Sequence, residues 1–174
     1  MKKIIFFSAV AILFATTRVS AQSTPITPNN SWLKLGANIG VPVGNVSHYS
    51  SFIAGLELKG QVLETDYLGI GLTTGYNHYF GKNGFDGFGT IPLGAFLRVY
   101  PQSEGFFIGS DLGYSFITGA DGAKGGFYVK PQLGYHNYDW NVFGYYNGIL
   151  RSDDNGGSIS SVGIGATYNI RFKK

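Results

Sequence analysis

The sequence predicts an all-β fold, an eight-stranded antiparallel up-and-down transmembrane β-barrel. Three observations support this prediction. Apolar residues alternate with small or polar ones along nearly all of the chain after residue 31, which is the pattern of strands with two unlike faces. The alternating runs number eight, and an even count closes a sheet without leaving an edge. Short and long connections also alternate, as in barrels with tight periplasmic turns and longer outward loops.

The first 31 residues are set apart from the strands. A basic start at Lys2 and Lys3, an apolar stretch over residues 4–15 and small residues before Gln22 are typical of a cleaved signal peptide, 1–21. The apolar stretch is shorter than the ~20 residues that a transmembrane helix needs. Residues 22–31, rich in Thr, Pro and Asn, predict a flexible periplasmic lead-in to a barrel over 32–174.

The first four strands show the alternation clearly. Apolar residues occupy odd positions in the first and fourth runs and even positions in the second and third, with Gly, Thr, Asn or charged residues between them. Pro92 weakens the fourth run locally, because proline cannot donate a hydrogen bond to the neighbouring strand. Each run reaches the ~9–11 residues of a tilted transmembrane strand. The predicted strands are 32–41, 51–63, 67–80 and 89–100.

The last four strands follow the same rule with one exception. Apolar positions are even in the fifth and eighth runs and odd in the sixth. The seventh run is the least regular, because Phe143 and Tyr145 fall among the polar positions held by Asn141 and Asn147. The predicted strands are 105–117, 126–137, 139–150 and 160–172.

Periodicity alone does not tell which face points inward. A soluble periplasmic lipocalin-like ligand carrier also has about eight alternating strands, with the apolar face inside. Three features favour the membrane form: only 13% of residues are charged, the polar face is mostly Gly, Ser, Thr and Asn, and aromatic residues lie near the ends of the apolar faces. The predicted interface aromatics are Phe52, Phe80, Phe116 and Phe127 on the outer side and Phe106, Trp140 and Phe172 on the periplasmic side.

Two segments carry a family resemblance. Residues 91–101, IPLGAFLRVYP, and residues 128–135, YVKPQLGY, resemble segments of small outer-membrane β-barrel domain proteins of the Bacteroidota type. These proteins are similar to the eight-stranded OmpA/OmpX-like membrane barrels. The resemblance implies a barrel in the cell envelope of a Gram-negative bacterium, and it implies no substrate.

The last strand also resembles the signal that hands such proteins to the barrel-insertion machinery. In that signal a terminal aromatic residue follows alternating large residues, and the chain has Tyr168, Ile170 and Phe172 in that spacing. Lys173 and Lys174 after the aromatic residue depart from the usual pattern.

Charged residues at polar-face positions predict a network inside the barrel. A narrow lumen holds little water, so these groups must pair or form hydrogen bonds there. Counting across the fifth and sixth strands puts Asp111 opposite Gln132 and makes Lys130 a diagonal neighbour. A narrow passive pore for small solutes or ions, with an anion preference, is the alternative use of the same residues. The predicted network comprises Lys34, Glu57, Lys59, Arg98, Asp111, Lys130, His136, Asp139 and Arg171.

Other functions find little support in the residues. After removal of the leader, 10 basic residues balance 10 acidic ones, so the positive charge typical of nucleic-acid binding is missing. Cysteine is absent, and His48, His78 and His136 are too scattered for a metal site or for a Ser-His-carboxylate arrangement. We therefore expect no catalytic residues, cofactor or metal.

The sequence thus favours a non-enzymatic integral outer-membrane protein with a structural or surface-interaction role. We expect a monomer in contact with outer-membrane lipid, with both chain ends in the periplasm. A surface ligand, if one binds, would use the short outward loops. The loop residues available for this are Tyr49, Lys82, Phe85, Asp86, Asp121, Lys124, Arg151, Asp153 and Asp154.

Overall fold

The computed structural model describes residues 32–64, 67–102, 104–120, 122–152 and 156–171. The predicted signal peptide and lead-in lie outside these residues. The predicted strands are confirmed, each end differing by two residues or fewer. The strands are β1 Trp32–Val43, β2 Ser50–Glu64, β3 Leu68–Gly81, β4 Phe88–Val99, β5 Gly105–Thr118, β6 Gly126–His136, β7 Trp140–Leu150 and β8 Ile159–Arg171.

The eight strands form one closed antiparallel barrel. Each strand pairs with its neighbours in sequence, and β1 closes the sheet by pairing with β8 over their whole common length. Closure satisfies the backbone N–H and C=O groups without exposing an edge. Among the described residues no helix is long and apolar enough to cross a membrane.

The barrel has two unlike ends. The connections β2–β3, β4–β5 and β6–β7 are tight and lie with the start of β1 and the end of β8; we call this the turn end. The other four connections are longer and form the loop end. The first of them contains a 3-10 helix, Gly44–His48, which directs Val46 into the barrel mouth.

The inner face of the sheet is polar and the outer face is apolar, which is the reverse of a soluble protein. Nearly all buried charged and amide side chains, such as Lys59, Arg98 and Asp111, point into the lumen. Large apolar side chains, such as Leu56, Leu72 and Ile164, point outward and are more than 60% exposed. Along the described strands the face rich in aliphatic residues points outward, whereas the lipocalin-like alternative requires it to point inward.

Proline interrupts the strand pairing as its missing N–H predicts. Between β3 and β4 the pairing passes from Thr74 and Leu93 to Asn77 and Thr90, leaving out Pro92. The Thr74 hydroxyl donates instead to the Pro92 carbonyl at 2.9 Å. β4 remains continuous through the proline, so the interruption is local.

Candidate functional site in the barrel lumen

Two ion pairs cross the centre of the lumen. Lys59 on β2 donates to both carboxylate oxygens of Asp111 on β5, at 2.9 and 2.6 Å. Lys130 on β6 donates to Glu57 on β2. All four side chains are buried, and neither pair joins neighbouring strands. The pairs therefore bridge the barrel interior, where isolated charges would be costly.

Amide side chains extend this network toward the turn end. Gln132 donates to Asp111 at 2.9 Å and accepts from Arg98 at 3.2 Å. Arg98 also donates to Asn141 at 3.0 Å, and Asn141 donates to Asn169 at 2.9 Å. Asn169 accepts a further bond from Lys34 at 2.8 Å. The hydrogen bonds run without a break from the central carboxylate to the end of β8.

Aromatic rings fill the space beside the cations. The Arg98 guanidinium carbon lies 4.6 Å from the Phe107 ring centroid, and the Lys130 ammonium nitrogen lies 4.2 Å from that of Tyr145. Lys59 lies 5.7 Å from the Phe143 ring. These distances allow cation–π attraction, which strengthens when the groups are removed from water. Phe143 and Tyr145, which break the polar pattern of β7, are thus lumen-filling residues.

Two apolar clusters flank the charged layer. Toward the loop end, Val46, Ile53, Tyr79 and Tyr128 pack with Ile149 and Ile159 in the outer cluster. Toward the turn end, Tyr100 packs with Phe107, Phe143 and Tyr145 in the inner cluster. With the ion pairs between them, buried side chains occupy the lumen from the outer cluster to the inner cluster along the described strands.

The partner predicted for Asp111 on β6 is wrong by two residues. Asp111 lies opposite Lys130, and Gln132 lies opposite Gly109. A shift of two residues keeps every side chain on its own face, so alternation alone does not detect it. Lys130, although directly opposite Asp111, pairs with Glu57 instead, and Lys59 reaches Asp111 across the lumen.

The other predicted network residues lie nearer the turn end. His136 is buried, and its Nε2 atom lies 3.1 Å from the Gln102 carbonyl oxygen. Asp139 falls in the β6–β7 turn and not in β7 as predicted; its backbone N–H donates to Asn137 and its carbonyl accepts from the Asn169 N–H. The side chain of Arg171 lies outside the described part of the structure.

Polar residues that the sequence argument left out complete the network. Asn38 donates to Glu57 at 3.0 Å and accepts from the Tyr145 hydroxyl at 3.1 Å. Tyr128 donates to Asp111 at 3.3 Å. Both residues, like Gln132 and Asn141, occupy inward positions of the alternation, so the periodicity could have identified them. Attention to charge alone missed them.

The insertion-signal residues are described in part. Tyr168 and Ile170 lie on β8 at outward positions, and the Tyr168 ring contacts that of Trp140 at 5.0 Å between centroids. Phe172 lies outside the described residues. The contact places an aromatic pair at the outer surface near the turn end.

Contacts between loops give the loop end a defined shape. Tyr49 and Phe85, each about half exposed, meet edge to face at 4.9 Å, and the Lys82 N–H donates to the Tyr49 carbonyl. Arg151 donates to the carbonyls of Gly157 at 2.9 Å and Lys124 at 3.3 Å. Partial burial lowers the pKa of the Arg151 guanidinium, which nevertheless stays charged.

The remaining candidate loop residues divide into two groups. Asp86 and Lys124 are exposed at the loop end. Asp121, Asp153 and Asp154 lie outside the described residues. The described part of the loop end therefore offers a small aromatic surface with both signs of charge nearby.

The histidines lie apart from one another. His48 is in the 3-10 helix, and His78 on β3 has its Nδ1 atom 3.2 Å from the Tyr76 hydroxyl. In the described ranges no hydrogen bond joins a histidine to a serine, and no three His, Asp or Glu side chains form a group that could hold a metal ion.

The chain and its fold were compared with known proteins. No family model matches the chain, and no curated protein matches its sequence. The N-terminal β-barrel domain of OprF from Pseudomonas aeruginosa is 14% identical with a TM-score of 0.53, over 83% of this chain and 100% of that one. Ail, the attachment invasion locus protein of Yersinia pestis, is 13% identical with a TM-score of 0.55, over 83% and 100%.

These comparisons define the class of fold. The chain is a closed eight-stranded antiparallel β-barrel, and the solved structures that it resembles are outer-membrane barrel proteins. At such low identity the likeness shows the fold alone. It gives no support to the Bacteroidota type indicated by the two sequence segments.

Proposed function

We propose that this protein is an integral outer-membrane β-barrel with a structural or surface-interaction role and no enzymatic activity. The observation that carries the proposal is the reversed polarity of the sheet. Charged side chains are buried and paired inside, while large apolar side chains surround the barrel outside. Water would not stabilise such a surface, whereas bilayer hydrocarbon does.

Aromatic residues support a membrane orientation. Phe52, Phe80 and Phe116 are exposed near the loop end, and Phe106 and Trp140 are exposed near the turn end. Aromatic side chains favour the two membrane–water interfaces. The tight turns would then face the periplasm together with both chain ends, and the longer loops would face outside. We further propose that the protein is a monomer. Its last strand resembles the signal for the barrel-insertion machinery, which we propose inserts it into the membrane.

Membrane fractionation tests the location. The full chain, with residues 1–21 included, is expressed in a Gram-negative host, and the outer-membrane fraction is run on a gel with and without boiling. We expect the protein in that fraction, with a folded band that shifts on heating because the closed barrel resists detergent at room temperature. A soluble periplasmic product would contradict the proposal.

The loop end is the part available to a partner outside the cell. Tyr49 and Phe85 form an exposed aromatic pair, and Arg151 fixes the third and fourth loops against each other. Aromatic residues on ordered loops are suited to recognition, because little conformational entropy is lost on binding. The small surface fits a small ligand or a short segment of a larger one.

The packed lumen disfavours the narrow pore. Two ion pairs and two apolar clusters occupy the path that a solute would take. In planar bilayers we expect no steady conductance from the purified protein. If the protein does conduct, and Arg98→Ala with Lys130→Ala changes the current while a loop substitution such as Tyr49→Ala does not, the lumen is a pore and this part of the proposal fails.

A further inference from the structure

A groove on the outer surface of the barrel does not belong to the lumen site. It has a volume of about 680 Å³ and crosses β4, β5, β6 and β7. Leu97, Ile108, Leu133 and Tyr146 form its walls, and small residues, among them Gly144, lie between them. The volume falls within the ~300–1,000 Å³ range of small-molecule sites in proteins.

The groove coincides with an interruption in the β6–β7 pairing. The pairs pass from Val129 and Gly148 to Gln132 and Tyr145, leaving out Pro131. Pro131 has no N–H to donate, and it also lines the groove. The depression therefore arises from the sequence itself, through one proline and the absence of a side chain at Gly144.

The lining of the groove is mostly apolar, and its polar side chains form hydrogen bonds within the protein. Gln132 is engaged with Asp111 and Arg98, as described above. The Tyr145 hydroxyl donates to Asn38, the Tyr146 hydroxyl donates to Ser160 at 2.9 Å, and Ser110 donates to the Asp111 carbonyl at 3.4 Å. None of the lining residues is charged. The occupant that fits such a surface is a hydrocarbon.

The position of the groove along the barrel indicates which half of the bilayer would supply the hydrocarbon. Leu97 and Leu133 each lie within four residues of the turn end of their strands. In the proposed orientation this is the periplasmic half of the bilayer. A second barrel is a poor occupant, because a stable protein interface uses about 20–30 residues a side, and the groove has eleven.

We propose that this groove is a binding site for one acyl chain of a phospholipid from the periplasmic leaflet. This site depends on the proposed membrane location, because only a barrel in a bilayer would meet phospholipid there. A chain seated there would be in contact with Leu97, Ile108, Leu133 and Tyr146 at once. It would exchange more slowly than the surrounding lipid, because more of its surface is in contact with protein.

The barrel contains a matched pair of positions for the test. Leu133 is 63% exposed and lies opposite Gly144 on the neighbouring strand. Leu72 is 64% exposed, lies outside the groove and stands opposite Gly60. A Cβ atom on Gly144 would meet nothing closer than 3.9 Å, and one on Gly60 would meet nothing within 4 Å. A side chain can therefore begin at either glycine without a clash at its Cβ atom.

The experiment uses tryptophan at each leucine as a reporter. Leu133→Trp and Leu72→Trp are made in a background with Trp32 and Trp140 replaced by Phe. The folded proteins in detergent micelles are titrated with a phospholipid brominated on its acyl chain, which quenches nearby tryptophan. We expect quenching of Leu133→Trp to saturate near one lipid per barrel, and quenching of Leu72→Trp to rise in proportion to total lipid.

A second substitution that fills the groove is compared with a matched substitution outside it. Adding Gly144→Leu to Leu133→Trp should abolish the saturable quenching, while Gly60→Leu should leave the Leu72→Trp titration unchanged. Proportional quenching at both reporters, or a saturable component that survives Gly144→Leu, would overturn the proposal. A dimer in light scattering that Gly144→Leu dissociates would also overturn it, since a second chain would then occupy the groove. Each variant is first checked for the heat-modifiable band, so that failure here is distinct from failure of the membrane assignment.

Discussion

Replacing Asp111 by asparagine should strongly destabilise the barrel while preserving the shape of the side chain. Three donors converge on the carboxylate: Lys59, Gln132 and Tyr128. Asparagine keeps one acceptor oxygen and presents an NH2 group to donors where the other oxygen was. Lys59, with no exposed surface, then keeps Glu57, at 3.6 Å, as its remaining carboxylate partner among the described residues. Removing one partner of a buried ion pair costs about 3–5 kcal/mol, and we expect a loss of unfolding free energy in that range.

A double-variant cycle separates the charge effect from general damage. Lys59→Met added to Asp111→Asn removes the buried cation as well, so the double variant should be no less stable than Asp111→Asn alone. Urea unfolding in phospholipid vesicles, followed by tryptophan fluorescence and by the heat-modifiable band, measures each free energy. Lys124→Met, at an exposed loop position, is the control and should leave stability unchanged. Losses that add to within about 0.5 kcal/mol would mean that the two residues do not interact, and would refute the reasoning.

Three further outcomes follow from the same structure. Ile164→Arg, near the middle of β8 and outward, should cost about 2–4 kcal/mol in vesicles, while Tyr49→Arg at the loop end should not alter unfolding; an Ile164→Arg variant as stable as the unchanged protein would mean that residue 164 does not face lipid. Phe143→Ala with Tyr145→Ala should make a non-conducting barrel conduct in planar bilayers, and an unchanged baseline would mean that other side chains seal the lumen. Arg151→Ala should speed protease cleavage within 119–125 and 151–158 without lowering the urea midpoint, because the guanidinium bonds join only loops.

The strands could be predicted because each carries its own evidence. A two-residue alternation is a local property, and a run such as 160–172 shows it without reference to any other part of the chain. Even the departures were informative: Pro92 interrupts the pairing, and Phe143 and Tyr145 proved to be lumen residues. The charged residues that point inward were identifiable by the same parity, since position alone decides the face of a strand.

The partners within the lumen could not be predicted in this way. Lys59 and Asp111 lie on β2 and β5, and their meeting depends on the tilt and stagger of the closed barrel. Neither quantity has a sequence signature. The register error at Asp111 has the same origin, because a two-residue shift leaves the face pattern unchanged. The groove beside Gly144 likewise depends on four strands coming together, so no single segment indicates it.

The ion pairs across the lumen stabilise the closed barrel in a way that backbone pairing between neighbouring strands does not. The backbone pairing of β2 with β3, or of β5 with β6, is the same in an open sheet as in a closed one. The contacts of Lys59 with Asp111 and of Lys130 with Glu57 join strands that are not neighbours, so they need the sheet to curl into the barrel that β1 and β8 close. In an open sheet Lys59 would keep only its neighbour Glu57 on the same strand, and Lys130 only Asp111 opposite it, so the cross-lumen partners would be lost. The network therefore stabilises closure specifically, which is the step that removes the last unpaired strand edges from the hydrocarbon.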